Sequence, residues 1–131
     1  AYGIMQIVPE TGGRDAYTKL FNRDWIPNDE YLYSPENNIE LGCQYLSLLK
    51  NNYFNKVNDD LSAEYCIISG YNTGPGNVAV AFTGKKKIKE ANEKINKLKP
   101  SQVKRILLQK LPHAETKKYL RKVLDKKRLY D

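Results

Sequence analysis

The chain has 131 residues, with 22 Lys or Arg against 15 Asp or Glu and a net charge of +7. This length suits one domain with an ordinary hydrophobic core, so we predict a single domain over residues 1–131. No stretch approaches the roughly 18 apolar residues of a membrane-spanning helix, and no signal-peptide pattern opens the chain. The two cysteines and the single histidine lack metal-ligand spacing, and we expect neither a metal ion nor a cofactor.

The charge is unevenly distributed along the chain. Residues 1–84 carry a net charge of −5, whereas residues 85–131 carry +12. A basic half of this kind suggests a polyanionic partner, such as nucleic acid, anionic lipid or a cell-wall polymer with carboxylates. The more ordinary explanation of any single Lys-rich run is a solvated helix surface that binds nothing.

The first third of the chain predicts one helix and one long loop. Residues 3–8 form a compact apolar run with Gln6 in its middle. The apolar spacing that follows predicts a helix over residues 10–21. Residues 22–34 are predicted to be a loop that covers the core with two aromatic side chains, Trp25 and Tyr31.

Ser34 and Pro35 predict the start of a long helix that runs to about Phe54. Its three- and four-residue spacing predicts a buried stripe formed by Ile39, Gly42, Cys43, Leu46, Leu49 and Tyr53. Glycine is unfavourable inside a helix, so Gly42 predicts that another segment crosses closely there. Tyr45 lies off the centre of this stripe, where its hydroxyl can face a groove. Cys43 and Cys66 are both predicted to be buried thiols.

The second half of the chain predicts short helices only. Asp59 and Asp60 cap a largely apolar helix that is predicted to stop at Gly70. The turn Gly70–Gly76 contains three glycines and a proline, which break a helix and hold Tyr71 and Asn72 at its end. Further helices are predicted after this turn, and no alternating strand pattern is present. The fold class is therefore all-α, with about seven helices.

Four short motifs occur in order along the chain. They are Gly3-Ile4-Met5-Gln6, Asn38-Ile39-x-x-Gly42-x-x-Tyr45-Leu46, Tyr71-Asn72-x-Gly74-Pro75-Gly76 and Leu111-Pro112-x-x-Glu115-Thr116-x-x-Tyr119. Together they resemble the lytic transglycosylase family, lysozyme-like enzymes that cleave bacterial peptidoglycan. Within that family, the stretch from Lys87 to Val123 is similar to the membrane-bound lytic murein transglycosylase C type.

The resemblance implies a lysozyme-like helical fold around a substrate cleft, and a mechanism with one essential carboxylic acid. A glutamic acid protonates the oxygen between N-acetylmuramic acid and N-acetylglucosamine. The 6-hydroxyl of the sugar then closes on C1, which gives a 1,6-anhydro product without net hydrolysis. Such an acid needs a desolvated site that raises its pKa. A second carboxylate is not required, because the substrate supplies the nucleophile.

The family's catalytic glutamate belongs to a Glu-Ser motif upstream of the Gly-Ile-Met-Gln motif. No residue of this sequence occupies that position, and Glu36 is explained by helix capping. We therefore expect no catalytic residue in this chain, a general acid upstream of residue 1, and no activity from the 131 residues alone.

Three matched positions lie in the first half of the chain. The resemblance implies that Gln6 is a cleft glutamine that bonds the sugar and that Tyr45 is a cleft tyrosine. Val8 stands where many members have a methionine beneath the sugar.

Three further matches lie in the second half. Tyr71 matches the tyrosine whose hydroxyl bonds the catalytic carboxylate, and Asn72 matches the neighbouring amide. Glu115 matches a second cleft acid near the bound muramic acid, which is not the proton donor.

The resemblance implies an enzyme of the bacterial cell envelope that acts on peptidoglycan strands, and we expect a monomer. It also implies a periplasmic protein, held at the outer membrane by an upstream lipoprotein segment. The alternative is a non-catalytic glycan-binding module on the same fold. Nucleic-acid binding is not expected, because the basic residues are spread over helices without a reading motif. The basic half is instead expected to meet peptide-stem carboxylates or an anionic membrane surface.

Overall fold

The computed structural model describes residues 1–130, which form an all-α structure and confirm the predicted fold class. Their eight α-helices are α1 (Arg14–Phe21), α2 (Asp29–Tyr33), α3 (Pro35–Leu48), α4 (Asp60–Thr73), α5 (Pro75–Thr83), α6 (Ile88–Ile95), α7 (Pro100–Lys110) and α8 (Ala114–Arg128). Two π-helical turns, Pro9–Gly13 and Leu49–Tyr53, precede α1 and follow α3. None of the helices in this part of the chain has the length and apolar character needed to cross a bilayer.

The described residues divide into two compact units, the first spanning residues 1–48 and the second beginning at Leu49. In the first unit, the N-terminal segment folds into a tight loop closed by a bridge between Tyr2 and Ile7. The two backbone N–H···O distances of this bridge are 2.9 and 3.0 Å. The loop therefore presents residues 3–6 at its tip.

Asn38 on α3 fastens this loop. Its Oδ1 accepts a hydrogen bond from the Met5 backbone N–H at 2.8 Å. Its Nδ2 donates to the carbonyl oxygens of Tyr2 at 2.8 Å and Leu32 at 2.9 Å. The side chain is 1% exposed, so a buried amide joins three segments of the first unit.

The predicted buried stripe is correct at Gly42 and Leu49, which are buried, and wrong at three other positions. Ile39 and Leu46 are 43% and 39% exposed, and Cys43 is exposed instead of buried. The buried positions are Asn38, Leu41, Gly42, Tyr45 and Leu48. The buried face of α3 differs from the predicted one because Asn38 and Tyr45 belong to the core. A prediction from the spacing of apolar residues does not include such side chains.

The close approach predicted at Gly42 is confirmed. A Cβ atom at this position would lie 2.7 Å from three side-chain atoms of Met5, including its Cβ. Gly12 has the same function for a second contact, because a Cβ there would lie 2.7 Å from Cε2 of Tyr45. Both glycines let the N-terminal segments pack directly on α3.

The region predicted as a loop between α1 and α3 contains the short helix α2. Asn28 caps it by accepting a hydrogen bond from the Tyr31 N–H at 2.9 Å. Trp25 and Tyr31 are half-buried and meet at right angles, with ring centroids 5.5 Å apart. Both also contact the ring of Tyr17, at 4.8 and 5.6 Å. The two aromatic rings therefore pack against each other and Tyr17, and their covering of the core stays a prediction.

In the second unit, α4 is the central helix and packs against α5, α7 and α8. The predicted cap is confirmed, since the Asp59 carboxylate accepts a hydrogen bond from the Ser62 N–H at 2.8 Å. The predicted end of the helix is wrong, because α4 continues past Gly70 to Thr73. A Cβ at Gly70 would lie 3.2 Å from both Leu49 and Phe54. Gly70 is therefore a packing residue inside the helix.

Candidate functional site

Gln6 lies at the tip of the N-terminal loop and is exposed. Its φ of 51° places it in the left-handed region, which non-glycine residues rarely adopt. Two hydrogen bonds to the Gly3 carbonyl hold it there, from the backbone N–H at 3.1 Å and from Nε2 at 2.8 Å. Backbone strain of this kind costs of order 1 kcal/mol and clusters at functional sites. The loop thus fixes the direction in which the Gln6 amide projects.

Val8 follows this loop in an extended conformation and begins the first π-helical turn. Its carbonyl oxygen accepts hydrogen bonds from the N–H groups of Gly13 at 2.9 Å and Thr11 at 3.3 Å. Its side chain is half-buried. Val8 therefore has a defined backbone position immediately after the segment that carries Gln6.

Tyr45 is more deeply buried than the sequence predicts. Its side chain is only 3% exposed and its ring lies against Gly12. The predicted placement off the centre of the buried stripe is therefore wrong, because Tyr45 forms part of the core of the first unit. A role for its hydroxyl at a cleft stays a prediction.

Tyr71 and Asn72 lie in the last turn of α4 and are half-buried. Gly74, with φ 91°, ends the helix and donates its N–H to the Gly70 carbonyl at 2.7 Å. Asn77 Nδ2 then bonds both the carbonyl and the hydroxyl oxygen of Thr73, each at 3.0 Å. The two matched residues therefore sit at a rigid corner between α4 and α5, where only glycine readily takes the required φ.

Glu115 is exposed in the first turn of α8. The other end of α8 bonds an early turn of α4, because Lys127 Nζ lies 2.8 Å from Glu64 Oε2. This pairing favours an antiparallel packing of α4 and α8. In that arrangement, Glu115 begins α8 at the end of the pair at which Tyr71 and Asn72 close α4.

None of the carboxylates within residues 1–130 is buried. Asp15 and Glu64 are half-buried, and the others, including Glu10, Glu36 and Glu115, are exposed. A general acid that stays protonated near neutral pH needs a desolvated environment. The part of the chain that the structure describes holds no carboxyl group in such an environment. It also holds no cluster of His, Cys, Asp or Glu suited to a metal ion.

The six matched positions divide between the two units. Gln6, Val8 and Tyr45 belong to the first unit, and Tyr71, Asn72 and Glu115 to the second. Sequence reasoning assigned no role to Asn38, although the residue opens one of the four motifs. Its position in phase with the buried residues Leu41, Gly42 and Tyr45 was the available signal.

Comparison with known proteins identifies the family. The transglycosylase SLT domain family matches residues 1–95. The chain is 42% identical to the membrane-bound lytic murein transglycosylase C of Photorhabdus laumondii, over 94% of this chain and 34% of that protein. It is 41% identical to the protein of the same name from Mannheimia succiniciproducens, over 99% of this chain and 36% of the relative. The counterpart from Haemophilus influenzae is also 41% identical, over 94% and 34%.

The chain thus spans about a third of the length of these relatives. The match covers most of the chain and confirms both the predicted family and the lysozyme-like helical fold class. The chain belongs to the transglycosylase SLT domain family.

Proposed function

We propose that the intact protein is a lytic transglycosylase that cleaves the bond between N-acetylmuramic acid and N-acetylglucosamine in peptidoglycan. The observation that carries this proposal is the family match over residues 1–95. Identities near 40% with lytic murein transglycosylases over nearly the whole chain support it. The product is the 1,6-anhydro sugar, formed when the 6-hydroxyl of the muramic acid attacks C1.

The general acid is proposed to lie N-terminal to Ala1. Two observations support this. Each carboxylate among residues 1–130 is at least partly exposed, and the relatives are about three times as long as this chain. The acid first protonates the leaving oxygen and then, as a carboxylate, accepts the proton of the attacking 6-hydroxyl. In this scheme the Tyr71 hydroxyl donates to the carboxylate and fixes its orientation, with Asn72 beside it.

The remaining matched residues are proposed to bind and orient the glycan. Gln6 offers a rigidly held amide to sugar hydroxyls. Its loop is closed by the bridge between Tyr2 and Ile7, and its side chain is held by the hydrogen bond to the Gly3 carbonyl. Glu115 accepts hydrogen bonds from the muramic acid, and Val8 and Tyr45 shape the surface beneath it. Orientation of this kind lowers the barrier because the reacting groups no longer lose freedom in the transition state.

The test is digestion of purified peptidoglycan by the intact protein, with products identified by mass spectrometry. We expect products that end in 1,6-anhydro-muramic acid. Tyr71→Phe should lower kcat by about 10- to 100-fold, because a misplaced acid is costly. The matched control is Tyr33→Phe, which removes the hydroxyl of a tyrosine that is 64% exposed. Products with ordinary reducing ends would contradict the proposal.

A non-catalytic glycan-binding module is the second candidate, favoured by the absence of a buried carboxylate from residues 1–130. The same digestion separates the two functions. Binding of peptidoglycan by the intact protein without any anhydro product supports the module and excludes the enzyme.

We also propose that the protein acts in the cell envelope as a monomer and that its basic half contacts an anionic membrane surface. Support comes from the exposed cations of α8, including Lys118 and Lys122, and from relatives named as membrane-bound. Binding to vesicles with an anionic lipid should weaken in the Lys118→Glu/Lys122→Glu variant and at high salt. Unchanged binding would assign these lysines to a solvated face. Binding of nucleic acid is still not expected. The proposed monomeric state is tested by light scattering, which measures the molar mass of the protein in solution.

A further inference from the structure

A groove in the second unit lies outside the six matched positions. It is formed by α6 and the segment that leads from the second π-helical turn to α4, and its volume is about 530 Å³. This volume falls within the ordinary range of small-ligand sites. Four of its nine lining residues are asparagines, at positions 52, 55, 92 and 96.

Two of these asparagines hold the groove together. Asn96 uses both ends of its amide, because Nδ2 donates to the Lys56 carbonyl at 2.8 Å and Oδ1 accepts from the Asn58 N–H at 2.8 Å. Asn92, one turn earlier on α6, donates its Nδ2 to the Tyr53 carbonyl at 2.9 Å. The wall of the groove is thereby fixed at three points, one on α6 and two on Asn96, the residue that caps the end of α6.

Asn92 differs from Asn96 in one respect. The residue is 4% exposed, and its Oδ1 has no hydrogen-bond partner among residues 1–130. Nδ2 is committed to the Tyr53 carbonyl, so Oδ1 is the end of the amide left without a partner, on a residue that lines the groove. A buried acceptor without a donor is unfavourable, and a ligand N–H would remove that penalty.

The charged side chains of the lining give the ligand its character. Lys56 and Lys89 are exposed and form no ion pair within the described residues. Glu93 lies on the same groove. Two ammonium groups and one carboxylate suit a ligand with an excess of carboxylates and one cationic group. Tyr53 and Ile88 add apolar surface for short side chains.

We propose that this groove binds a short acidic peptide. Peptide groups pair with asparagine amides through one N–H and one C=O, and a peptide N–H supplies the donor that Asn92 Oδ1 lacks. Lys56 and Lys89 bind the peptide carboxylates through charge-assisted hydrogen bonds. A neutral glycan would leave both lysines without a partner, which is why the peptide is favoured. Given the proposed function, on which this identification rests, the ligand is the stem peptide of peptidoglycan.

The test is isothermal titration calorimetry of the full-length protein with a synthetic stem peptide, N-acetyl-L-Ala-γ-D-Glu-L-Lys, which has two free carboxylates and one ammonium group. The comparison ligand is the same peptide with its carboxylates converted to amides. The variant is Lys56→Gln/Lys89→Gln, which changes exposed side chains and leaves the asparagine contacts intact. Its matched control is Lys85→Gln/Lys97→Gln, with the same loss of charge at two exposed lysines outside the groove.

We expect the variant and the amidated peptide each to weaken binding by about tenfold or more, and the control by less than about twofold. Equal binding of the free and amidated peptides, or equal binding by the variant and the wild type, would overturn the inference. No binding by a protein that still yields anhydro-sugar products would overturn it and leave the proposed function standing. Carboxylate-dependent binding that the variant loses, in a protein without such products, would support the groove and overturn the proposed function alone.

Discussion

Replacement of Asn38 by alanine tests the connection between the N-terminal loop and α3. The side chain makes three hydrogen bonds of 2.8 to 2.9 Å, to the backbone of Met5, Tyr2 and Leu32. Alanine removes all three and leaves one N–H and two carbonyl groups without their partner. It changes nothing on the surface, because Asn38 is 1% exposed.

The expected loss of stability follows from these bonds. Each contributes about 0.5–1.5 kcal/mol net, and a buried group left unpaired costs about 1–3 kcal/mol. The bonds to Met5 and Tyr2 are only partly buried, so water can replace them, whereas the bond to Leu32 is fully buried. We expect the free energy of unfolding to fall by about 2–4 kcal/mol.

The assay is urea denaturation followed by circular dichroism, with Asn37→Ala as the matched control. Asn37 is the neighbouring asparagine and is half-buried, and its replacement should change stability by less than about 0.5 kcal/mol. A loss below about 1 kcal/mol for Asn38→Ala would refute the reasoning, since a buried amide with three partners cannot be removed so cheaply.

The same variant bears on activity. Met5 and Tyr2 flank the loop tip that carries Gln6, so release of the loop should disturb the position of the Gln6 amide. On the proposed function, kcat/KM should fall in Asn38→Ala and in Gln6→Ala, and the double variant should lose less than the sum of the two effects. Full additivity would show that Asn38 does not act through Gln6.

Three further outcomes are expected. Gly42→Ala should reduce stability by about 1–3 kcal/mol through overpacking against Met5, and its thermal midpoint should recover in part when Met5→Ala is added, because alanine removes the Met5 Cγ and Cε but keeps its Cβ; a loss below about 0.5 kcal/mol for Gly42→Ala would contradict the close approach. Burial raises the pKa of the Cys66 thiol to about 12 from an ordinary value of 9.0, so iodoacetamide at pH 8 should label only Cys43, and stability should decline from about pH 9 upward because only the unfolded thiol ionises there; two labels on the folded protein would contradict this. Ser62→Ala should leave unfolding unchanged within about 0.5 kcal/mol or raise stability slightly, since the buried Ser62 Oγ has no partner among residues 1–130; a loss above 1 kcal/mol in denaturation would reveal a hidden partner.

Fold class and local signals were predictable because they depend on neighbouring residues. The Asp59 cap needs only the adjacent helix start, and the close approach at Gly42 follows from the poor helix propensity of glycine. The all-α class followed from the apolar spacing of the helices and the absence of strand alternation.

The register of α3 was not predictable, because its buried face includes Asn38. That asparagine is in the core on account of partners 33 and 36 residues away, and no local pattern contains this information. The prediction of where α4 ends was wrong for a related reason. Gly70 looks like a helix breaker in sequence, but it is retained inside the helix by contact with Leu49 and Phe54.

The residues of the candidate site could be predicted from the sequence, but the burial of their side chains could not. The four motifs named Gln6, Tyr71 and Glu115, but burial depends on packing between distant segments. Tyr45 shows the difference, since its place among the buried residues of the first unit depends on Gly12 lying directly on its ring.

The aromatic cluster has a practical consequence for how this protein can be observed. Trp25 is the only tryptophan of the sequence, and it lies in the first compact unit. Its fluorescence therefore reports on residues 1–48, whereas five of the eight helices, α4 to α8, belong to the second unit and dominate the far-ultraviolet signal. Coincident transitions by the two probes would show cooperative unfolding, and separated transitions would show that each unit melts by itself.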